Sequence, residues 1–583
     1  MCGILYQSSI ILSAKQNELE HRGPDAFGSV TKSDSEFAHW RLSILGLSNA
    51  YDQPLHYKES LLIYNGEIYN YQELGQRYFK RNYVNDSELL AHLLYYYGTE
   101  VITELKGMFA FVFLDKQKRI IVGRDRLGIK PLYYSFKDGN LLVSSEISPI
   151  QRRINPVISH EAIAEFIVHG VIHTNTVYEG ILEFPNSHYA IYSHSELSLY
   201  KYSQNQFGKK QKSKADLGNL LSNSMALHLN SDVPTAILLS SGIDSSLLTF
   251  YASKLKSGLK VYTADFGGDA INDELDAAKK LCDHLGIEHY SISLKDRPKS
   301  VIIDELLKRH GQPFGDAADI ALYVLYDALP KEIKVVIQGD GGDELFGGYR
   351  RHRLMKYGNS VLLHFVLRNL PFLRARRLGL ALGAENVDRH SALLRQDNMV
   401  SDKLKSFIKS EQILQSLEIV ETACYQKKYQ EVAAEKSEQN KFYTVDMNLV
   451  LKNQFLRKVD ISSMALSKEA RVPLLYDDIL DHAMTLDVQD NVNLFYGKLP
   501  LRKIAKQKLP RFIFKRKKMG FGVPYSRWLD TELNSDYMSC LKSTRVQQVL
   551  NTEAIYEDFC KRSHDHFLHW KIYILAKWLK NQI

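Results

Sequence analysis

The chain has few cysteines, and their spacing excludes two common uses of that residue. The five cysteines are scattered over 583 residues and form no CxxC pair. A disulfide framework needs paired cysteines in a small secreted domain, and a structural zinc site needs closely spaced ligands. We therefore expect neither. The cysteines are Cys2, Cys282, Cys424, Cys540 and Cys560.

The sequence also lacks a long apolar run and a strong charge of one sign. No uninterrupted apolar segment approaches the roughly 20 residues that a membrane-spanning helix needs. No basic region precedes an apolar stretch at the N-terminus, so no signal peptide is expected. The net charge of +8 is small for this length and does not indicate nucleic-acid binding. With 45% hydrophobic and 24% charged residues, the chain is predicted to be a cytoplasmic, globular, multidomain protein.

A loop that follows an apolar strand organises the second half of the chain. The segment 236–246, AILLSSGIDSS, reads as a buried parallel strand that runs into a tight loop and then a helix. Backbone N–H groups at a helix start bind anions, Gly242 lets the chain approach a phosphate, and Ser240 and Ser245 can donate hydrogen bonds. Asp244 suits this site if it holds a cation that accompanies phosphates, such as Mg²⁺. The alternative is an ordinary strand–helix turn.

A second strand end carries an unusual loop. The segment 335–338, VVIQ, runs into GDGGDELFGGY at 339–349, which contains five glycines and three carboxylates. Strands and helices alternate in this region, which indicates a doubly wound parallel sheet. Ligands bind such sheets at the carboxyl ends of the strands, so we expect both loops to contribute to one site. A flexible acidic turn is the alternative.

The start of the chain suggests a nucleophile. Removal of Met1 would leave Cys2 with its thiol and its α-amine on one carbon. An α-amine titrates at about pH 7.7–8.0 and can act as a general base near neutrality. A thiol beside such a base is a nucleophile for an amide carbon. For Cys2 taken alone, a small buried side chain is the alternative.

The residues that follow form a β-rich region with few helices. Together they resemble the class II glutamine amidotransferase domain, an N-terminal-nucleophile fold of two stacked sheets between helices. The resemblance covers about residues 2–190. It rests on CGI at 2–4, RGPD at 22–25, RLSI at 41–44, NGEIYN at 65–70 and RDRLGIKPLYY at 124–134.

This resemblance implies a glutaminase. Cys2 is expected to attack the side-chain amide of glutamine, and Asn65 and the backbone N–H of Gly66 are expected to form the oxyanion hole. An arginine suits the α-carboxylate of glutamine and acidic groups suit its ammonium. The implied glutamine-binding residues are Arg41, Leu42, Ser43, Ile44, Leu45, Asn65, Gly66, Glu67 and Asp86.

The region from about 214 to 580 is similar to the synthetase domain of glutamine-hydrolysing asparagine synthetases, which are PP-loop ATP pyrophosphatases. Residues 240–245, SSGIDS, resemble the SGGxDS motif, and EARVP at 469–473 and KLPLR at 498–502 also match the family's sequence. The resemblance implies that Asp244 and Asp343 hold Mg²⁺ and that Lys498 is catalytic, neutralising charge on the leaving pyrophosphate. The implied ATP-binding residues are Leu238, Ser240, Gly242, Asp244, Ser245, Ala264, Gln338 and Gly339.

Three positions depart from the family motifs. Ser241 replaces the first glycine of the PP-loop, and Asp340 stands where the family commonly has glutamate. Tyr476 replaces the aspartate of RVPFLD, although Asp477 follows it directly. Because the glutamate change shortens a side chain in the synthetase site, the acceptor substrate stays open.

We predict a mixed fold with an N-terminal stacked β-sandwich flanked by helices and a C-terminal doubly wound parallel sheet with a helical extension. The predicted domains are 2–200 (glutaminase), 201–213 (linker) and 214–583 (synthetase). The predicted function is that of a glutamine-dependent asparagine synthetase, which uses ATP and Mg²⁺ to convert aspartate to β-aspartyl-AMP and channels ammonia to it. The alternative keeps this chemistry with another carboxylate, such as a uronic acid of a surface polysaccharide.

Other function classes fit less well. A non-catalytic relative should have lost Cys2, Asn65, Asp244 or Asp343, and all four are present. A nucleic-acid-modifying enzyme would need a basic, aromatic-rich surface domain. The expected partners are therefore small molecules, with no nucleic acid and no membrane span. A homodimer is the assembly hypothesis, but neither the oligomeric state, the acceptor-binding residues nor the use of free ammonia follows from the sequence.

Overall fold

The structure is a computed structural model of the chain. Residues 209–213 of the predicted linker, and residues 515–522 of the basic KRKKMGFGVP segment, lie outside the described residues. The structure describes residues 2–208, 215–265, 269–293, 297–356, 401–433, 437–514, 523–561 and 565–582, together with 365, 366, 369, 390 and 435.

The N-terminal region, residues 2–203, contains two six-stranded antiparallel sheets. The first has the strand order β10-β8-β9-β1-β3-β2 and the second β12-β11-β7-β6-β5-β4. The strands are β1 (Gly3–Gln7), β2 (Ala26–Lys32), β3 (Ser35–Arg41), β4 (Leu55–Tyr57), β5 (Ser60–Ile68), β6 (Gly107–Leu114), β7 (Ile120–Arg124), β8 (Tyr133–Lys137), β9 (Asn140–Ser144), β10 (Leu182–Glu183), β11 (His188–Ser193) and β12 (Glu196–Lys201).

The two sheets stack through a shared core. Ile4 of β1 and Val143 of β9 belong to the same buried cluster as Ile63 of β5 and Val112 of β6. Helices cover the outer face of the second sheet, where the Asn85 side chain caps a helix by accepting from the Ser87 N–H. The helices are α1 (Tyr71–Phe79), α2 (Asp86–Tyr97), α3 (Ile147–Ile154) and α4 (His160–His169), with 3₁₀ turns at Gln16–Glu18, Asn49–Tyr51 and Gly98–Glu104.

The C-terminal region, residues 215–582, is built on a five-stranded parallel sheet of order β15-β14-β13-β16-β17. Side chains alternate across β13, so Ala236 and Leu238 pack into one core while Ile237 and Leu239 pack into another. The sheet is therefore covered on both faces, which explains its uninterrupted apolar sequence. The strands are β13 (Thr235–Leu238), β14 (Lys260–Asp265), β15 (Glu288–Ser293), β16 (Val335–Ile337) and β17 (Glu469–Arg471).

Helices surround this sheet and extend beyond it. One boundary differs from the expectation: the acidic pair Asp273 and Glu274 predicts a helix that opens there, whereas the helix begins at Asp269. The helices are α5 (Leu217–His228), α6 (Ile243–Leu255), α7 (Asp269–Leu285), α8 (Lys299–His310), α9 (Ala318–Asp327), α10 (Gly342–Phe346), α11 (Arg350–Lys356), α12 (Asp402–Ser406), α13 (Glu411–Glu431), α14 (Glu438–Asp446), a π-helix (Met447–Leu456), α15 (Arg457–Met464), α16 (Asp477–Thr485), α17 (Leu499–Lys508), α18 (Tyr525–Asp530), α19 (Asn534–Leu541), α20 (Thr544–Val549), α21 (Thr552–Phe559) and α22 (His566–Lys580), with 3₁₀ turns at Pro473–Leu475, Val488–Asn491 and Arg511–Phe514.

These features confirm the predicted mixed fold class: stacked antiparallel sheets with helices, followed by a parallel sheet with helices on both faces. Among the residues described, no helix combines the length and apolar character that a membrane span requires.

Charged contacts join the two regions. Lys106 pairs with Asp478 at 2.7 Å, and Arg126 pairs with Asp477 at 3.1 Å. Tyr476, the departure from the RVPFLD pattern, is buried, and its aromatic ring packs edge-on against other rings. The neighbouring Asp477 supplies the carboxylate, which also accepts a hydrogen bond from the Gly107 N–H at 2.9 Å.

Candidate functional site

The first candidate site surrounds Cys2, which immediately precedes the central strand β1. Burial raises the pKa of the Cys2 thiol, while the amino terminus, a hydrogen bond from the Leu42 backbone and the charge of Arg41 act in the opposite direction. A nucleophilic thiolate needs such stabilising groups when it is out of water. Cys2 is 8% exposed and lines the adjoining cavity, through which a small substrate can reach it.

Asn65 lies directly beside this thiol-bearing residue. Its Oδ1 accepts a hydrogen bond from the backbone N–H of Cys2 at 2.8 Å, which fixes the orientation of the amide. Its Nδ2 is buried and has no hydrogen-bond partner within the described part of the chain. A buried amide donor without a partner is costly, so it is expected where a substrate oxygen completes the hydrogen bond. This geometry suits an oxyanion donor.

The cavity next to Cys2 brings together most of the predicted glutamine-binding residues. Ser43 is an exception, since its backbone N–H donates to Asp25 at 2.6 Å and its side chain does not line the cavity. Asn65 contacts Cys2 but is likewise absent from the lining. The predicted residues in the lining are Cys2, Arg41, Leu42, Ile44, Leu45, Gly66, Glu67 and Asp86.

The charges around this cavity are unbalanced. Arg41 is engaged by Asp52 at 2.6 Å and by two backbone carbonyls. Burial raises the pKa of Glu67 well above its usual value; Arg471 opposes this, and Asp86 and a further carboxylate add to it. Burial also raises the pKa of Asp86, although its Oδ2 accepts from Tyr64 at 2.6 Å. A substrate ammonium would compensate this excess of carboxylates.

Six residues of the lining were not predicted, and one of them, Glu469, comes from the other region of the chain; the other five are Tyr51, Gln53, Tyr64, Asn85 and Ser87. Glu469 of β17 faces the same cavity as Cys2. Its neighbour on the same side of the strand, Arg471, pairs with Glu67 at 2.9 Å. The available signal was the pattern of β17 itself: two charged residues two positions apart in a fully buried strand point the same way and need partners.

The second candidate site lies at the carboxyl ends of the neighbouring strands β13 and β16. The Ser240 N–H donates to Ser245 Oγ at 3.2 Å, and the two hydroxyls lie 3.1 Å apart, which closes the loop. Gly242 precedes the first residue of α6, so the unpaired N–H groups of that helix start face the loop. This arrangement can bind an anion such as phosphate.

Ser241 occupies a conformation that favours glycine. Its φ of +50° lies in the left-handed region. A residue with a side chain loses about 1–2 kcal/mol there. Ser241 therefore adopts the loop conformation that glycine adopts more easily, and it does so at an energetic cost.

Lys498 joins the two loops. Its Nζ pairs with Asp244 Oδ2 and lies 2.9 Å from Asp343 Oδ1. Burial opposes the charge, but Asp244 and Asp343 raise the pKa of Lys498 further, so it is an ammonium. Gly342 and Gly348 make the approach possible: a Cβ on Gly342 would lie 2.7 Å from the Asp244 carboxyl carbon, and one on Gly348 would collide with Asp343.

The predicted ATP-binding residues lie at this same edge. Leu238 ends β13, Ala264 lies next to the end of β14, and Gln338 and Gly339 follow β16 directly. Gln338 Oε1 accepts from Tyr326 at 2.7 Å, whereas its buried Nε2 has no partner among the described residues. That unused donor suits a polar ligand.

The donor set fits Mg²⁺ that arrives with a substrate phosphate. Within the described residues, no three histidine, cysteine or acidic side chains cluster as a metal site. Mg²⁺ is commonly held by one or two carboxylates together with substrate phosphates, and Asp244 and Asp343 supply such a pair. The neighbouring Asp340 has a pKa raised by burial, against the charge of Lys458.

A cysteine near the start of the chain beside a buried amide whose Nδ2 has no partner among the described residues, and a phosphate-type loop on a parallel sheet, are features of enzymes in which an amidotransferase site accompanies an ATP-dependent synthetase site. Residues 216–580 match the asparagine synthase family, and residues 1–203 match the glutamine amidotransferase domain family. The chain therefore belongs to the asparagine synthase family.

Individual relatives agree with this assignment. Asparagine synthetase [glutamine-hydrolyzing] 1 of Bacillus subtilis is 27% identical over 99% of this chain and 96% of its own length. Amidase chry2 of Gibberella zeae is 29% identical over 58% of this chain and 54% of its own length. A solved glutamine phosphoribosylpyrophosphate amidotransferase from B. subtilis aligns over 54% of this chain and 90% of its own at 14% identity, with a TM-score of 0.28, which is too low to support a structural argument.

Proposed function

We propose that the protein is a glutamine-dependent asparagine synthetase. Glutamine would be hydrolysed at Cys2, and the ammonia would amidate aspartate that ATP has activated. The observation that carries this proposal is the buried Asn65 amide, which contacts the Cys2 backbone through Oδ1 and whose Nδ2 donor has no partner among the residues that the structure describes. The family membership and the relative that spans 99% of the chain support it.

In the glutaminase half of the reaction, the Cys2 sulfur adds to the side-chain carbonyl carbon of glutamine. Asn65 Nδ2 and the Gly66 N–H would donate to the oxygen on which negative charge develops. The α-amine of processed Cys2 would take the thiol proton as the sulfur adds and would pass it to the amide nitrogen as the C–N bond breaks, so that ammonia leaves. Water hydrolyses the resulting thioester, which releases glutamate and restores the thiol.

In the synthetase half, an aspartate β-carboxylate oxygen attacks the α-phosphorus of ATP, and pyrophosphate leaves. The loop at 240–245 would bind phosphate through its backbone and hydroxyl donors. Asp244 and Asp343 would hold Mg²⁺, which supplies compensation for phosphate charge. Lys498 lies between these carboxylates and would donate to the leaving pyrophosphate. Ammonia then attacks the acyl carbon of β-aspartyl-AMP, and AMP departs.

A second acceptor class is favoured by one observation. Asp340 is one methylene shorter than the glutamate common in the family, and it lies in the loop that carries Asp343. A shorter side chain leaves more room for an acceptor larger than aspartate, such as a uronic acid of a surface polysaccharide. The two candidates differ only in the carboxylate that reacts with ATP.

A coupled assay separates the candidates. Purified protein receives ATP, Mg²⁺, glutamine and aspartate, and pyrophosphate, glutamate and asparagine are measured together. Asparagine formed in step with pyrophosphate supports the asparagine synthetase. Glutamate release without asparagine, followed by pyrophosphate release with a uronic acid, supports the second class. The Cys2→Ala variant should lose glutamine-dependent synthesis and keep synthesis from ammonium chloride.

A further inference from the structure

Strand β17 carries two charged side chains into the N-terminal region. Glu469 and Arg471 are two residues apart, so both side chains leave the strand on the same side. Their exposed side-chain fractions are 1% and 0%. Charged groups buried to this degree need partners, and the partners of Glu469 and Arg471 indicate the role of these two residues.

Arg471 uses its guanidinium as a buried fork. Nη2 pairs with Glu67 Oε2 at 2.9 Å, and Nε donates to Glu469 Oε1 at 2.5 Å. Nη1 donates to the carbonyls of His228 and Asn230 at 2.8 and 2.7 Å. The guanidinium is thus fixed by four contacts, and a planar group held in this way fixes the direction of the carboxylate that it pairs with.

The carboxylate that Arg471 fixes lines the cavity beside Cys2. Glu67 and Glu469 both face that cavity, together with Asp86. Burial opposes the ionisation of Glu469, but the amino terminus and Arg471 hold its pKa at about 2. Arg471 pairs with two of these three acidic side chains, and burial raises the pKa of Glu67 and of Asp86; an α-ammonium placed beside them would favour their ionised forms.

We infer that Arg471 is a positioning residue for the glutamine site: it holds Glu67 in place to receive the α-ammonium of glutamine, and Glu469 completes that wall from the C-terminal region. The glutaminase site is therefore built by both regions of the chain. This inference rests on the proposed function and names residues that recognise the amino group rather than the reacting amide.

The same residue also contacts the synthetase site through its backbone. The Gln338 N–H donates to the Arg471 carbonyl at 3.0 Å, and Gln338 leads directly into the loop that carries Asp343. A shift of β17 that changes the pairing of Arg471 with Glu67 would therefore also displace the end of β16. The Arg471 side chain contacts Glu67 of the glutamine site, and its backbone carbonyl contacts the synthetase site. Side-chain substitutions of Arg471 therefore test only the contact with Glu67.

The test compares glutamine with glutaramate, the monoamide of glutaric acid, which keeps the reacting amide and lacks the α-amine. We expect Arg471→Met to lower kcat/KM for glutamine by about tenfold or more, the effect of a lost hydrogen bond to a charged group. For glutaramate, kcat/KM should stay within about threefold of the wild-type value, because no ammonium needs to be bound. Equal losses for both substrates, or no change in their ratio, would overturn the inference.

Matched variants separate positioning from general damage. Arg126→Met removes a half-buried arginine that joins the two regions by pairing with Asp477 and Asp481, neither of which lines the cavity, so the substrate ratio should not change. In a Glu67→Gln background, Arg471→Met should have no further effect on the ratio, since both changes remove the same interaction. If Arg471→Met does not fold, Arg471→Lys and Glu469→Gln carry the test, and each must lower the ratio.

Failure of the proposed function gives a different result. In that case the wild-type protein hydrolyses neither compound. Calorimetric binding to the Cys2→Ala variant then decides the inference, because binding needs no hydrolysis. Glutamine must bind less tightly relative to glutaramate when Arg471→Met is added, and an unchanged binding ratio refutes the role of Arg471.

Discussion

Replacing Asn65 tests the candidate oxyanion hole most directly. The structure gives its amide two separable functions: Oδ1 accepts from the Cys2 backbone at 2.8 Å, and Nδ2 is the buried donor without a described partner. Asn65→Asp keeps an oxygen at the first position and removes the donor at the second. Loss of one oxyanion donor costs about 10²–10³ in kcat, which is about 2.7–4 kcal/mol of transition-state stabilisation.

The assay measures glutamate release under saturating glutamine, and synthesis from ammonium chloride serves as the folding control. We expect kcat for glutamine hydrolysis to fall by about a hundredfold or more in both Asn65→Asp and Asn65→Ala. Ammonia-dependent synthesis should be unchanged, because Asn65 lies at the other site. A fall of less than about tenfold in Asn65→Asp, with the control intact, would refute the assignment of Nδ2 as an oxyanion donor.

Three further predictions follow from the second site and from the contact between the two regions. Ser241→Gly should raise the free energy of unfolding by about 1 kcal/mol, because it relieves a left-handed φ, and chemical denaturation should show no such gain for Ser241→Ala. Lys498→Met should abolish pyrophosphate release with either nitrogen donor and leave glutamine hydrolysis intact; retained synthesis would exclude a role for the ammonium. Glu183→Gln should cost about 3–5 kcal/mol at pH 7, because it leaves Lys452, Arg124 and Arg457 without their carboxylate. Burial opposes the ionisation of Glu183, but these three cations lower its pKa. The difference in free energy of unfolding between the wild type and Glu183→Gln should therefore shrink as the pH falls below about 4.5. A difference that grows at low pH would contradict this reasoning.

Local sequence patterns were sufficient for most of the fold. The apolar run of β13 predicted a strand buried on both faces, and β13 packs into a separate core on each side. The predicted start of α7 was four residues too late. Acidic residues near the start of a helix either cap it or lie within its first turns, so the pair Asp273 and Glu274 did not fix the boundary.

The candidate sites were predictable only where one loop carries the chemistry. Asp244 and Asp343 stand in conspicuous loops, and the structure brings both to Lys498. Glu469 and Arg471 were recognised as part of a family motif but received no role, because Glu67, the partner of Arg471, is about 400 positions earlier in the chain. Nothing in local periodicity reports a pairing across that separation. The predicted roles of the site residues remain to be tested by the variants above.

The buried charge pairs between the two regions have a consequence for how such a chain can be rebuilt. Arg22 meets Asp460 at 2.9 Å, and Glu67 meets Arg471, in each case with one partner from each region and almost no exposed surface. A chimaera that joins this N-terminal region to a relative's synthetase must import the matching partners as well, or it will bury ions without counter-ions. During divergence the same constraint makes a change on one side tolerable only with a compensating change on the other. These buried ion pairs therefore allow the two regions to be exchanged only together.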